Sequence, residues 1–161
     1  MNCVTSKRPP SLETLTRKWH TDDPERMIGR GHPVGDFLEA NEWKVIGERV
    51  GFLRLACHLP EQVRNPRGDL FGGFTPTYAD LVAVFTGRAG HRQEIPRNWL
   101  STASLRVDYF APINGDFFIE SEVLHRTGRT QHVQIRFLGE RDRLLAICQA
   151  TIIEQKDEGE A

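Results

Sequence analysis

The stretch from Asn65 to Asp80, NPRGDLFGGFTPTYAD, holds the residue types from which acyl-transfer chemistry is built. Gly72 and Gly73 stand where an apolar helix begins, and glycines there leave backbone N–H groups bare toward whatever binds. Asp80 is the one carboxylate of that helix, between Ala79 and Leu81. Burying it is costly unless it has a task. Donors for an oxyanion together with a carboxylate, acting as base or nucleophile, suit acyl transfer. Taken alone, Asp80 reads as an ordinary solvent-facing residue; the glycine pair and Asn65 ahead of it argue for more. The Asn65 amide is suited to hold a water or orient a substrate carbonyl, or else it is a plain turn residue before Pro66. Phe71 and Phe74 belong to the core or line an apolar pocket.

The spacing carries a geometric constraint. Eight residues from Gly72 to Asp80, at a rise of about 1.5 Å each, put the two groups on the order of 12 Å apart along one helix. A reacting carbonyl needs both within about 3 Å. Two antiparallel helices meeting across a two-fold axis satisfy this, with Gly72 from one chain and Asp80 from its partner.

Composition narrows the function class. A chain of 161 residues with 39% hydrophobic content suits one domain with a real core. The formal net charge is -1, which gives no global pull toward nucleic acid or acidic membrane. Arg88, Arg92, Arg97, Arg106, Arg126 and Arg129 are dense in the second half. They read as solvated surface or as a phosphate-binding rim. Cys3, Cys57 and Cys148 have no metal spacing, which fits a reduced, cytoplasmic protein rather than a disulfide scaffold. The six histidines offer no convincing ligand set, so no metal is expected. No secretory leader and no membrane span is expected.

The elements that must position these residues follow from the pattern. Residues 1–33 read as a polar tail and short helices: Ser11 caps a helix through about His20, and Asp22-Asp23-Pro24-Glu25 signals a second helix start. Residues 34–154 read as the main domain and 155–161 as a charged tail. Val34 to Asn41 forms one more short helical piece. Glu42 to Ile46 and Val50 to Leu59 make a hairpin around Gly47. The long helix runs from Gly72 to about Ala89, on the apolar stripe of Phe74, Tyr78, Leu81, Val82 and Phe85. Strands follow at Ser101–Phe110, Phe117–Arg126, Thr130–Leu138 and Leu144–Glu154, as a four-stranded meander. Ala103, Leu105, Val107 and Tyr109 share one face of the first of these. The class expected is α+β, a curved antiparallel sheet around one central helix.

From Asp36 to Glu154, this order of elements and these residues resemble the hotdog-fold, PaaI-like acyl-CoA thioesterases. The resemblance rests on Asn65, Gly68, Phe71-Gly72-Gly73 and Asp80, then Asp108-Tyr109 with Pro112 and Gly115, then Thr127-Gly128-Arg129. The family carries a histidine where this chain has Phe71. The resemblance implies hydrolysis of an acyl-CoA thioester, with the Gly72 N–H polarising the carbonyl and Asp80 as base or nucleophile. It also implies a homodimer or dimer of dimers, a hydroxyl near Thr102 that orients water, and Arg129 beside the coenzyme. Ser101 and Ser104 compete with Thr102 for that role, and Gly73, Phe71 and Phe74 would contact substrate. A thioester suits so sparse a site: free thiol pKa values near about 8.5 make the thiolate a good leaving group, and no strong general acid is needed. Two alternatives remain, a non-catalytic acyl-CoA binder and a hotdog dehydratase or hydratase, the latter wanting a histidine that the helix start lacks. No cofactor is expected.

Overall fold

The computed structural model describes residues 10–155. The expected tails, with Cys3, lie outside the described residues apart from Pro10 and Gln155. In chain order the elements are α1 (Leu12–Arg17), α2 (Pro33–Phe37), β1 (Lys44–Arg49), β2 (Phe52–Cys57), α3 (Phe74–Thr86), β3 (Trp99–Tyr109), β4 (Phe117–Thr127), β5 (Thr130–Leu138) and β6 (Leu144–Gln155). The six strands form one sheet in the order β1-β2-β4-β5-β6-β3, antiparallel throughout. The α+β class stands as expected. α3 lies on one face of the sheet, touching β2 through β6, and an apolar helix on an apolar sheet face makes a single core.

The strand order corrects the expected meander. β3 pairs with β6, not with β4, and β4 pairs with β2. The link from Phe110 to Asp116 is no tight hairpin. Leu70 donates to Ile113 O (2.8 Å), and Phe110 and Ala111 both donate to Leu145 O (2.9 and 3.0 Å). Those bonds carry the chain across the sheet before β4 begins, and β3 is left as a free edge.

The N-terminal expectations hold in part. Ser11 does cap α1, accepting from Thr14 N at 3.2 Å, but the helix stops at Arg17. No helix begins at Asp22. The Asp23 carboxylate and Thr21 hydroxyl accept from the nearby backbone N–H groups of Glu25 and Asp23 (2.9 and 3.2 Å), a turn pattern that competes with helix. Val45 then donates to Glu25 O at 2.9 Å and Arg26 bridges to Lys44, so the chain runs along β1. The piece expected over Val34–Asn41 breaks after α2, where Glu39 takes a left-handed φ of 56°. α3 is shorter than expected at both ends. Gly87 follows its last turn at a crowded position: a Cβ there would stand 2.7 Å from Ile152 Cδ1 and 3.1 Å from Gln131 Oε1.

One ion pair, buried on its arginine side only, ties the N-terminal segment to the sheet. Arg92, only 5% exposed, grips both oxygens of Glu48 through Nε and Nη2 at 3.0 and 2.9 Å, and donates to Arg26 O (2.5 Å) and Pro24 O (3.0 Å). Burial raises the Glu48 pKa, but the Arg92 hydrogen bonds and the Gly90 N–H outweigh it and hold Glu48 below its ordinary 4.5. Removing the cation strands the carboxylate. Arg92→Met should cost about 2–3 kcal/mol in urea unfolding, somewhat below the cost of breaking a fully buried pair. A depressed carboxyl pKa stabilises above the unfolded-state value and ceases to do so as pH falls through the folded-state value. The stability gap between parent and Glu48→Gln should therefore be full above about pH 4.5 and close below it.

Candidate active site

α3 works on two sides. Tyr78, Ala79, Val82 and Ala83 are buried against the sheet. The Tyr78 ring stacks on Trp43 (centroids 5.1 Å apart) and meets Phe117 and Phe137 at steep angles. With 3.6 residues per turn, Thr77, Asp80, Leu81 and Val84 fall on the other side. That side looks into a cavity of about 430 Å³, whose remaining walls are the first residues of β3, Trp99 to Thr102, and the N-terminal segment.

β3 reaches this cavity because its register slips. Thr102 pairs with Ile152, and Ser104, two residues on, pairs with Thr151: a β-bulge at Ala103. Before the bulge, Leu100 and Thr102 face the helix; after it, Leu105 and Val107 do. The expectation that Thr102 lies opposite Leu105 is therefore corrected, and Ala103 is exposed. The Thr102 Oγ1 is buried at the cavity wall without a hydrogen-bond partner among the described residues. A buried hydroxyl normally has a partner, and one left open invites a water or a ligand.

The structure thus brings together Asp80 and Thr102, which line one cavity, with Ser101 beside them. Asp80 itself is exposed in the single chain rather than buried. The other expected residues stand apart from that cavity. Gly72 and Gly73 are exposed, and among the described residues neither N–H donates to another protein group. The Gly72 carbonyl instead accepts from the Tyr109 hydroxyl (2.6 Å) and Thr75 N (3.3 Å), which ties the glycine turn to the far end of β3.

Asn65 Oδ1 accepts from Arg67 N (2.9 Å) and Asp69 N (3.1 Å), so its carbonyl holds the loop. Phe71 is 54% exposed, edge-on to Phe74, which also packs on Phe37. Its ring lies over Gly73, where a Cβ would stand 2.9 Å from Phe71 Cε1. These rings form a surface cluster and do not line the cavity.

The basic rim contracts. Arg92 is the buried clamp described above. Arg126 donates to Gly87 O (3.3 Å) and Gln131 Oε1 (3.0 Å), at the end of α3, and Arg106 pairs with Asp108. Arg88 lines the cavity but donates to Glu94 O (2.7 Å), its pKa lowered by burial and then by Arg92. Arg97 and Arg129 are exposed and in no ion pair among the described residues. Arg129 sits on the β4–β5 turn, its carbonyl accepting from Glu154 N at 2.8 Å. Glu154 in turn accepts from Asn98, a cavity residue.

Sequence reading missed Trp19 and His32, which also line the cavity. The only signal was His32 before Pro33, which marks a chain break but also a helix start. His32 Nδ1 accepts from Gly35 N at 3.0 Å and caps α2. Burial, opposed by Asp36, lowers its pKa, and a neutral ring whose Nδ1 accepts the Gly35 N–H carries its proton on Nε2. Elsewhere Glu39, Glu42 and His58 draw together, with His58 Nε2 2.5 Å from Glu39; sequence spacing did not foresee this.

Comparison with known proteins agrees with this geometry. Residues 67–146 match the family model of the thioesterase superfamily. Among solved structures, the chain is similar to a conserved protein of Pseudomonas aeruginosa (17% identity, TM-score 0.64, covering 78% of this chain and 95% of that one). It is similar to the PaaI protein of the E. coli phenylacetic acid degradation operon (14%, TM-score 0.64, 78% and 86%). It is also similar to a hypothetical thioesterase of Streptococcus pneumoniae solved with coenzyme A (14%, TM-score 0.61, 72% and 88%). No curated protein is significantly similar to it in sequence. Residues 67–146 thus carry the thioesterase-superfamily match on a hotdog fold, and the class of reaction is thioester hydrolysis.

The open hydroxyl separates a functional Thr102 from a structural one. Thr102→Val keeps the shape and removes an unpartnered polar atom. Its unfolding free energy should match or exceed the parent's by up to about 1 kcal/mol. Thioester hydrolysis should fall about tenfold, the worth of one hydrogen bond to water, while Thr102→Ser retains most activity.

Proposed function

We propose that the protein is a PaaI-like acyl-CoA thioesterase whose general base is Asp80. The observation that carries this is that Asp80 and Thr102 line the same largely apolar cavity, and that the Thr102 hydroxyl has no partner among the described residues. A water held between them has an acceptor for its proton and a second contact that fixes its lone pair. Asp80 takes the proton as the water attacks the thioester carbon, and the thiolate leaves without needing a strong acid. Direct attack by the Asp80 carboxylate leaves the Thr102 hydroxyl no role. Coenzyme A in the pneumococcal relative and acetyl-CoA in a Streptococcus mutans relative support a CoA thioester as substrate. The buried free thiols of Cys57 and Cys148 fit a reducing cytoplasm.

The oxyanion donors come from a second copy of the chain. Gly72 lies two residues ahead of α3, too far from Asp80 to share its carbonyl, and among the described residues its N–H donates to no other protein group. β3 is an unpaired sheet edge of 11 residues, flanked by Tyr109 and Phe110 at 55% and 60% exposure. Long bare edges invite pairing with another chain. A dimer, or a dimer of dimers, formed on this edge supplies the partner's glycine turn to Asp80.

Asp80→Asn should lower kcat by about 10²–10⁴ with the assembly and its stability intact, since the amide cannot take the proton. Mixed with a chain disabled as Gly72→Pro, it should regain about a quarter of parental activity, because half the random dimers hold one sound site of two. No recovery despite demonstrated subunit exchange would place each site within one chain.

The coenzyme phosphates are assigned to Arg129, on the β4–β5 turn, whose carbonyl accepts from Glu154 N while the Glu154 side chain accepts from the cavity residue Asn98. Arg129→Glu should raise KM for acyl-CoA several-fold at low salt and leave a short thioester without the nucleotide unaffected. The difference should fade as salt screens exposed charge within about 8–10 Å.

A further inference from the structure

The cavity has a wall that the family match does not reach. The match begins at residue 67, yet Leu12, Trp19, His32 and Val34 enclose the space in front of Asp80. The segment carrying them is pinned from below. Met27 and Ile28 are 1% exposed in the core, and Arg92 holds the carbonyls of Pro24 and Arg26. Its return loop is tight as well. Gly29 N donates to Trp19 O at 2.8 Å, and a Cβ on Gly29 would stand 2.9 Å from His20 O. Gly31, at φ +106°, leaves only 2.6 Å between such a Cβ and Lys18 O. Trp19 is oriented by His32, ring centroids 5.0 Å apart at 80°, and His32 is itself fixed by the Gly35 N–H. α1, by contrast, puts only Thr16 in the fully buried class. Leu12 and Thr16 turn toward the cavity. An anchored loop therefore holds a short helix over space that core side chains do not fill.

We propose that this segment is the far wall of the acyl site, that Trp19 sets the size of acyl group admitted, and that the site takes a bulky apolar acyl group rather than acetyl. The volume of about 430 Å³ lies in the range of ligand pockets, roughly 300–1,000 Å³, far more than acetyl occupies. Trp19, Trp99, Leu81 and Val84 supply apolar surface. The polar groups Asp80 and Thr102 stand together at the α3–β3 side, where the thioester would lie. The inference rests on the thioesterase reading.

The test is kcat and KM for acetyl-, hexanoyl-, decanoyl- and tetradecanoyl-CoA in three proteins: the parent, Trp19→Ala and Leu12→Trp. None of these changes touches Asp80 or Thr102. The parent should prefer hexanoyl- or decanoyl-CoA over acetyl-CoA. Trp19→Ala should shift the preference to longer chains, raising KM for the parent's best substrate about tenfold or more, the worth of lost contacts in an apolar pocket. Leu12→Trp should shift it to shorter chains. The same ranking in all three active proteins, or a parent that prefers acetyl-CoA, would overturn the proposal and leave the thioesterase reading standing.

If the parent hydrolyses no thioester, that reading falls, and binding of decanoate decides the pocket. Trp43 is fully buried in the core and should not respond. Quenching of tryptophan fluorescence by decanoate, reduced in Trp19→Phe, would support the wall; no quenching would overturn it.

Discussion

The rotation of α3 about its own axis decides where every chemical group of this protein points, and Tyr78 fixes that rotation. Its ring is sandwiched into the core against Trp43, Phe117 and Phe137. Trp43 Nε1 and the Tyr78 hydroxyl are both buried without partners, at about 1–3 kcal/mol each, so aromatic packing outweighs a real polar penalty. Asp80 follows two residues later, about 200° around the helix. Once Tyr78 is in the core, Asp80 has to face away from the sheet. The helix thus presents a carboxylate to a ligand space without burying it in the core.

β3 supplies the second half of the arrangement by a defect in its pairing. An unbroken strand would alternate Leu100, Thr102, Ser104 on one face and Ala103, Leu105, Val107 on the other. Leu100 and Leu105 would then compete, one of them facing solvent. The bulge at Ala103 lets both pack on the core. The same slip leaves Thr102 on the helix side with no hydroxyl partner. Bulges gather beside active sites because they re-aim a side chain at the cost of a ladder position, and here the re-aimed residue is the one that meets Asp80's cavity.

What the sequence disclosed follows from which forces are local. The helix stripe of Tyr78, Leu81, Val82 and Phe85 and the four later strands were legible, because period and turn chemistry reside in neighbouring residues. Asp80 and the glycine pair were legible for the same reason. The bulge was not, since the alternation of Ala103, Leu105 and Val107 looks regular until Ile152 and Thr151 are laid beside it. The β3–β6 pairing was hidden because it depends on Phe110 and Ala111 bonding to Leu145, distant in sequence. Trp19 and His32 were invisible as site residues because an N-terminal segment of short helices gives no sign of what it folds against. Arg92 was overread: its chemistry suits a phosphate, but it is engaged by Glu48.

The exposure of Asp80 is the step that connects the single chain to its chemistry. A general base for hydrolysis needs a substrate carbon and oxyanion donors in place. The N–H groups of Gly72 and Gly73, just ahead of that helix, donate to no other group among the described residues, and Tyr109, at the far end of the β3 edge that begins at the cavity, lies beside them. Tyr109 binds the Gly72 carbonyl, so one strand is linked to both the carboxylate's cavity and the donor turn. Two copies joined along that strand in antiparallel sense would lay the donor end of each over the cavity end of the other. An isolated chain holds complementary halves at opposite ends of one strand, and a two-fold axis through β3 is the simplest operation that brings them together.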